Sequence, residues 1–137
     1  MRAVYRYATV VVFLAVLAQV GAAGYGAFYT ANKLDDTGDT LTHDGFEHGW
    51  DFHSGFGYIV VGAMIVLLLI GLAAKLGKPR IFLPIALAVA GILQVVLAWL
   101  GESVPGLGFL HPLNALVIFA MSGAAAHMAW RRERTSR

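Results

Sequence analysis

Apolar residues along this chain gather into four long runs, about residues 4–31, 52–74, 81–100 and 109–130. About 20 mostly apolar residues suffice to cross the hydrocarbon core of a bilayer. In lipid a helix satisfies its own backbone hydrogen bonds, so each run predicts a helix. Pro84 and Pro112 fall in the expected first turns of the third and fourth runs, where a missing N–H is tolerated. Short connections make consecutive helices antiparallel neighbours. The pattern predicts an all-α membrane protein: a single four-transmembrane-helix domain over residues 1–137, an up-down-up-down bundle. The stretch of about residues 32–51 predicts an acidic outer loop.

Composition supports this solvent. Of 137 residues, 58% are hydrophobic and 13% charged, and the mean hydropathy is +0.70. A soluble domain of this size exposes too much of its surface to hide that apolar content.

Charge adds a direction. Arg2, Arg6, Lys75, Lys78, Arg80, Arg131, Arg132, Arg134 and Arg137 fall on one side of the four-span arrangement, and Lys33 is the one cation left over. Asp35, Asp36, Asp39, Asp44, Glu47, Asp51 and Glu102 fall on the other. The positive-inside rule puts the basic side, with both termini, in the cytoplasm, which predicts a multi-pass protein of the cell membrane. Tyr5, Tyr7 and Trp130 suit the inner interface; Tyr25, Tyr29, Trp50 and Trp99 suit the outer one. The first run resembles a secretory signal, with Arg2 and Arg6 before residues 8–20 and small residues after. Its apolar character continues through Gly26, Ala27 and Phe28, so an uncleaved span is expected.

Candidate chemistry is sparse. With no cysteine there is no disulfide and no thiolate site. No basic patch interleaved with aromatics suggests nucleic acid, and neither a Ser-His-Asp set nor a His-Glu-x-x-His motif suggests a hydrolase. The polar residues within spans are Gln19, His53, Gln94, His111, Asn114 and His127, and such residues are functional candidates by default. His53 and His111 are expected to open the second and fourth helices. These two run parallel and lie diagonally across a four-helix bundle, so the imidazoles are expected at matched depth near the outer face. That arrangement suits the two axial positions of a haem iron. Gly55 and Gly57 after His53, and Ala115 one turn after His111, would leave room for a macrocycle; small residues also serve close helix packing.

His127 lies sixteen residues beyond His111, about 24 Å deeper along a helix, and is expected at the inner interface. His43 and His48, with Asp44 and Glu47, form either a solvated acidic loop or a site for zinc or copper. His48 is also an alternative axial ligand if the second helix begins early. A weak internal repeat adds to the pattern: Gln19 and Gln94, each followed by Val, lie in the outer halves of the first and third helices, and a histidine opens the helix after each. The glutamines equally suit plain interhelical hydrogen bonding.

The run Trp50-Asp51-Phe52-His53 with its Gly-rich apolar continuation resembles the histidine-bearing helix of heme A synthase. Residues 92–97 (Ile-Leu-Gln-Val-Val-Leu) and 110–116 (Leu-His-Pro-Leu-Asn-Ala-Leu) resemble the closing helix pair of one half of that enzyme. The family has eight helices in two four-helix halves, each with a histidine pair for haem, and this chain resembles one half. The resemblance implies His53 and His111 as axial ligands of a haem b. The family's glutamate before the histidine has no match at its offset, and Ser54 stands where the family has arginine. The expectation is therefore a haem-binding, electron-transfer protein rather than a complete heme A synthase. The chain also resembles short four-helix bacterial membrane proteins that end in a similar Leu-His-x-Leu-Asn-Ala segment. The competing expectations are a non-catalytic accessory subunit of a larger, respiratory-type membrane complex or a homodimer, and a metal-handling protein using His43 and His48.

Overall fold

The computed structural model describes residues 1–35 and 40–134, with side chains described as far as Arg131. Asp36 and Asp39 of the expected acidic loop, Arg137, and the side chains of Arg132 and Arg134 lie outside the described residues. The described residues form five helices joined by short turns: α1 (Arg2–Asp35), α2 (His43–Ala73), α3 (Lys78–Ser103), the single turn α4 (Pro105–Gly108) and α5 (Leu110–Arg134). Four helical segments are long and apolar enough to cross a membrane: α1, α2, α3, and α4 with α5.

The four long helices form a square. α1 and α3 each pack against both α2 and α5, while α1 and α3, like α2 and α5, face one another across the diagonals without backbone contact. The core is narrow and follows a helical repeat. Tyr5, Thr9, Val12 and Val16 of α1 recur at three- and four-residue steps, as do Val60, Met64, Leu67 and Gly71 of α2. Such spacing keeps one face of each helix against its neighbour. Leu87 and Ile118 close the centre. The outward faces are apolar instead of charged, with Val11, Ile59, Phe82, Val89 and Leu116 all exposed, as expected where lipid is the solvent.

Two expectations about element boundaries are corrected. The second helix does not begin near residue 52 but at His43, capped by Thr42, whose hydroxyl accepts from the Gly45 N–H at 3.1 Å. Most of residues 43–51 is therefore an extension of α2, laid against the end of α1. The contact is backbone-close: a Cβ at Gly26 would lie 2.9 Å from Trp50 Cδ2, and one at Gly49 2.6 Å from Tyr29 Cδ1. Trp50 Nε1 donates to Thr30 Oγ1 at 3.2 Å across the same seam. Likewise α3 begins at Lys78, with Pro79 in its first turn, so Pro84 lies inside the helix and is buried. It leaves the Arg80 carbonyl without its i+4 N–H partner. Pro112 does lie in the first turn of α5.

The extension places the histidine level well inside the bundle. α2 begins ten residues before His53, and α3 continues nine residues past Gln94, whose carbonyl meets His111; at about 1.5 Å per residue the two tips stand roughly 15 and 13 Å beyond that level.

α2 ends in a Schellman motif: Leu76 N–H donates to Gly71 O at 3.2 Å and Lys75 N–H to Leu72 O at 2.9 Å. Lys75 holds φ at 51°, the left-handed region that disfavours a Cβ. Lys75→Gly is expected to stabilise the protein by about 1 kcal/mol, read as a higher unfolding midpoint in detergent micelles. An unchanged or lower midpoint would mean that the left-handed lysine costs nothing here.

Candidate functional site

Every long helix contributes to one polar cluster in this otherwise apolar bundle: Gln19 from α1, His53 from α2, Gln94 from α3, and His111 with Asn114 from α5. The rings of His53 and His111 face each other across the α2–α5 diagonal, centroids 6.3 Å apart and planes at 64°. Both are half-buried. His53 does not open its helix as expected, but the two histidines meet at one level because the extra turns of α2 lie beyond that level.

Each imidazole is held by its Nδ1. His111 Nδ1 lies 3.0 Å from the Gln94 carbonyl oxygen. A carbonyl only accepts, so Nδ1 carries the proton and Nε2 of the neutral ring keeps a free lone pair. His53 is held differently. Gln19 Nε2 donates to the His53 carbonyl at 2.7 Å and lies 3.1 Å from His53 Nδ1. An amide nitrogen only donates, so here Nδ1 accepts and the proton of the neutral ring is on Nε2. Gln19 Oε1 is buried with no hydrogen-bond partner. The pair is thus chemically unlike: one ring is in the tautomer that offers Nε2 to a metal, the other is one proton shift from it.

The polar ring closes through Asn114, whose Nδ2 donates to Gln94 Oε1 at 2.7 Å and to the Ala90 carbonyl at 2.9 Å. Trp50 stands edge-on to His53, centroids 5.6 Å apart at 90°. Gly57 has a clear local task. It lies one turn after His53, and a Cβ there would meet Gln19 Nε2 at 3.0 Å; its missing side chain admits the glutamine to the His53 carbonyl. Ala115 stands at the equivalent position after His111 and is half-buried. Nothing lies within 4 Å of a Cβ built at Gly55.

The axial geometry can be tested against a bound metal. Two imidazoles on opposite sides of one ion, with metal–nitrogen bonds of about 2.0–2.1 Å, would have centroids roughly 6 Å apart, and the observed centroid separation of 6.3 Å agrees with that spacing. Among the described residues, no group of three or more His, Asp or Glu gathers to hold an ion. A metal here would therefore have to bring its remaining ligands with it, as a porphyrin does.

The other histidines stand apart from this cluster. His43 pairs with Glu47 at 3.2 Å on an exposed helical face. His48, five positions on and thus turned away from His43, lies edge-on to Tyr29 at 5.8 Å. His127 is exposed. From sequence, Gln19, Gln94 and Asn114 stood out as polar residues in spans; that Gln19 and Gln94 hold the histidines becomes visible only once the four helices are assembled. Comparison with protein-family models, with curated proteins and with solved structures finds no match.

Proposed function

We propose that this chain is a small b-type cytochrome-like membrane protein, in which His53 and His111 hold one haem b near the outer face for electron transfer. The observation that carries the proposal is the facing imidazole pair at 6.3 Å, each ring anchored through Nδ1 by a neighbouring helix. Backbone carbonyls or other outer partners on Nδ1 are the usual means of orienting a metal-bound imidazole. Such a haem supplies a one-electron iron couple, and with imidazole on both faces it leaves no open position for oxygen. His111 needs no adjustment to serve. His53 must carry its proton on Nδ1 instead of Nε2, and Gln19 must then turn its amide so that Oε1, the buried oxygen without a partner, accepts it, giving up the Nε2 bond to the His53 carbonyl.

The membrane arrangement belongs to the same proposal. Tyr7 and Trp130 meet edge-on at 5.7 Å with the Arg6 guanidinium 4.3 Å from the Trp130 ring, so the start of α1 and the end of α5 share one end. Tyr25, Tyr29 and Trp50 share another group. These groupings support an up-down-up-down bundle in the cell membrane, with Arg2, Lys75, Lys78, Arg80 and Arg131 toward the cytoplasm. The histidine pair then faces the extracytoplasmic side, and a quinone or a carrier outside the membrane is the natural exchange partner. The resemblance of residues 50–53, 92–97 and 110–116 to one half of heme A synthase points the same way, and a homodimer would supply a second half.

One observation favours a second function. Asn114, Gln94 and His111 are hydrogen-bonded among themselves and to backbone without any ligand, which suits a stitched, non-catalytic subunit of a larger membrane complex. The absorption spectrum of detergent-purified protein, supplied with haem, decides between them. A Soret band with the sharp reduced bands of bis-imidazole iron is expected; its absence after supplementation would leave the subunit function.

A further inference from the structure

The two histidine rings face each other without being parallel: their planes stand at 64°. Each is drawn by Nδ1 toward a different helix, His53 toward Gln19 of α1 and His111 toward the Gln94 carbonyl of α3. A contact at one ring nitrogen fixes where that nitrogen lies and leaves the plane free to swing about it. For His53 a second contact removes that freedom. Trp50, one turn earlier on the same side of α2, stands edge-on to the imidazole, centroids 5.6 Å apart at 90°. The indole is itself held. It lies on the bare backbone of Gly26, where a Cβ would come within 2.9 Å of Cδ2 and 3.0 Å of Cε3, and its N–H donates to Thr30 Oγ1 at 3.2 Å. Thr30 is fixed in turn, its hydroxyl donating to the Gly26 carbonyl at 2.9 Å. A tryptophan that served only to anchor a helix at the membrane edge would turn its N–H toward water and headgroups; Trp50 is half-buried and turns it to α1.

We propose that Trp50 is a positioning residue: set between Gly26 and His53, it keeps the His53 imidazole crossed to that of His111, so that a haem iron receives its two axial rings at a steep angle. The inference rests on His53 and His111 being the axial ligands and goes beyond that to the electronic state of the iron. An imidazole donates π density to iron through orbitals perpendicular to its ring. Aligned rings raise one of the two iron d orbitals of matching symmetry and leave the other, so the pair is widely split. Crossed rings raise both alike and leave them nearly level. Ring angle therefore acts on the iron beside ligand identity and hydrogen bonding. Trp50 and Gln19 control different freedoms. Gln19 decides which nitrogen of His53 carries the proton, and its amide must turn when iron binds. The indole contact does not depend on that proton and holds the plane through the change.

The test is electron paramagnetic resonance of the oxidised, haem-supplemented full-length protein in detergent, with absorption spectra of the same samples. Wild type is expected to give the single, strongly shifted low-field feature of low-spin ferric iron between crossed rings, not the three resolved features of aligned ones. Trp50→Leu should keep the Soret band and weaken haem binding by less than about tenfold, because no hydrogen bond to a ligand nitrogen is lost. Its low-field feature should give way to the aligned set or to a mixture. Trp50→Phe keeps a ring beside His53 and should largely restore the wild-type signal. Should Trp50→Leu fail to fold, Thr30→Val removes only the indole's tether and is expected to mix the two signals. The aligned set in wild type, with the Soret band present, overturns the crossed geometry and leaves haem binding standing. A wild-type signal in Trp50→Leu, or in Thr30→Val where the leucine variant does not fold, overturns the role of Trp50. A wild type with no Soret band removes the haem site, and the positioning role with it.

Discussion

His53→Ala and His111→Ala are each expected to abolish the haem spectrum of the purified, haem-supplemented protein. Losing an outer-shell partner of a metal ligand typically costs about 10–100-fold in affinity, and loss of an axial ligand itself should exceed that. The unloaded proteins should change little. His111 contributes one bond to the Gln94 carbonyl, and interhelical hydrogen bonds in membranes average about 0.6 kcal/mol, so unfolding midpoints should stay within about 1 kcal/mol of wild type. The separation of the two readouts is what identifies a ligand. His111→Met tests it further, because thioether can replace imidazole on iron and should raise the reduction potential while retaining haem. Retained bis-imidazole bands in either alanine variant would refute the assignment.

The second large effect belongs to Gln19, and its sign differs between the two measurements. Gln19→Leu should weaken haem binding about 10–100-fold, since it removes the group that orients His53. The same substitution should leave the haem-free protein as stable as before or slightly more stable, because it also removes Oε1, a buried oxygen with no partner. Gly57→Ala is the milder probe. The added methyl would press on Gln19 Nε2 at 3.0 Å and should shift haem affinity in the same direction by less. Haem titration followed by absorbance, beside detergent unfolding of the unloaded variants, reads both. Wild-type affinity in Gln19→Leu would mean that His53 orients itself.

How much of this is visible in the chain depends on what hydropathy measures. It locates lengths that suit lipid, and on that basis the four spans and the membrane class were legible. It does not locate helix ends. Residues 43–51 are polar enough to suggest a loop, yet Thr42 caps a helix there, and Gly26 and Gly49 let it lie close on α1. The cap signal was present in Thr42 followed by Asp44 and Glu47. Pro84 was misplaced for the same reason, because α3 begins at Lys78 among polar residues that a hydropathy window excludes.

The histidine pair was legible because its level depends on helix pairing, which the spans determine, and survives a wrong helix start. The task of Gly57 was not. A small residue beside a histidine suggests space for a cofactor, whereas the space is taken by Gln19, 34 positions before His53 on another helix.

The helix ends beyond the histidines have a consequence for traffic. α2 continues ten residues past His53, and α3 nine residues past Gln94, whose carbonyl meets His111, so both rings lie about 13–15 Å below those tips. The turn at residues 104–109 closes the α3–α5 side, with Gly101 and Gly108 in close contact. A bulky water-soluble visitor therefore meets a rim before it meets either imidazole, and bulk added at exposed Leu107 or Phe109 should slow its approach.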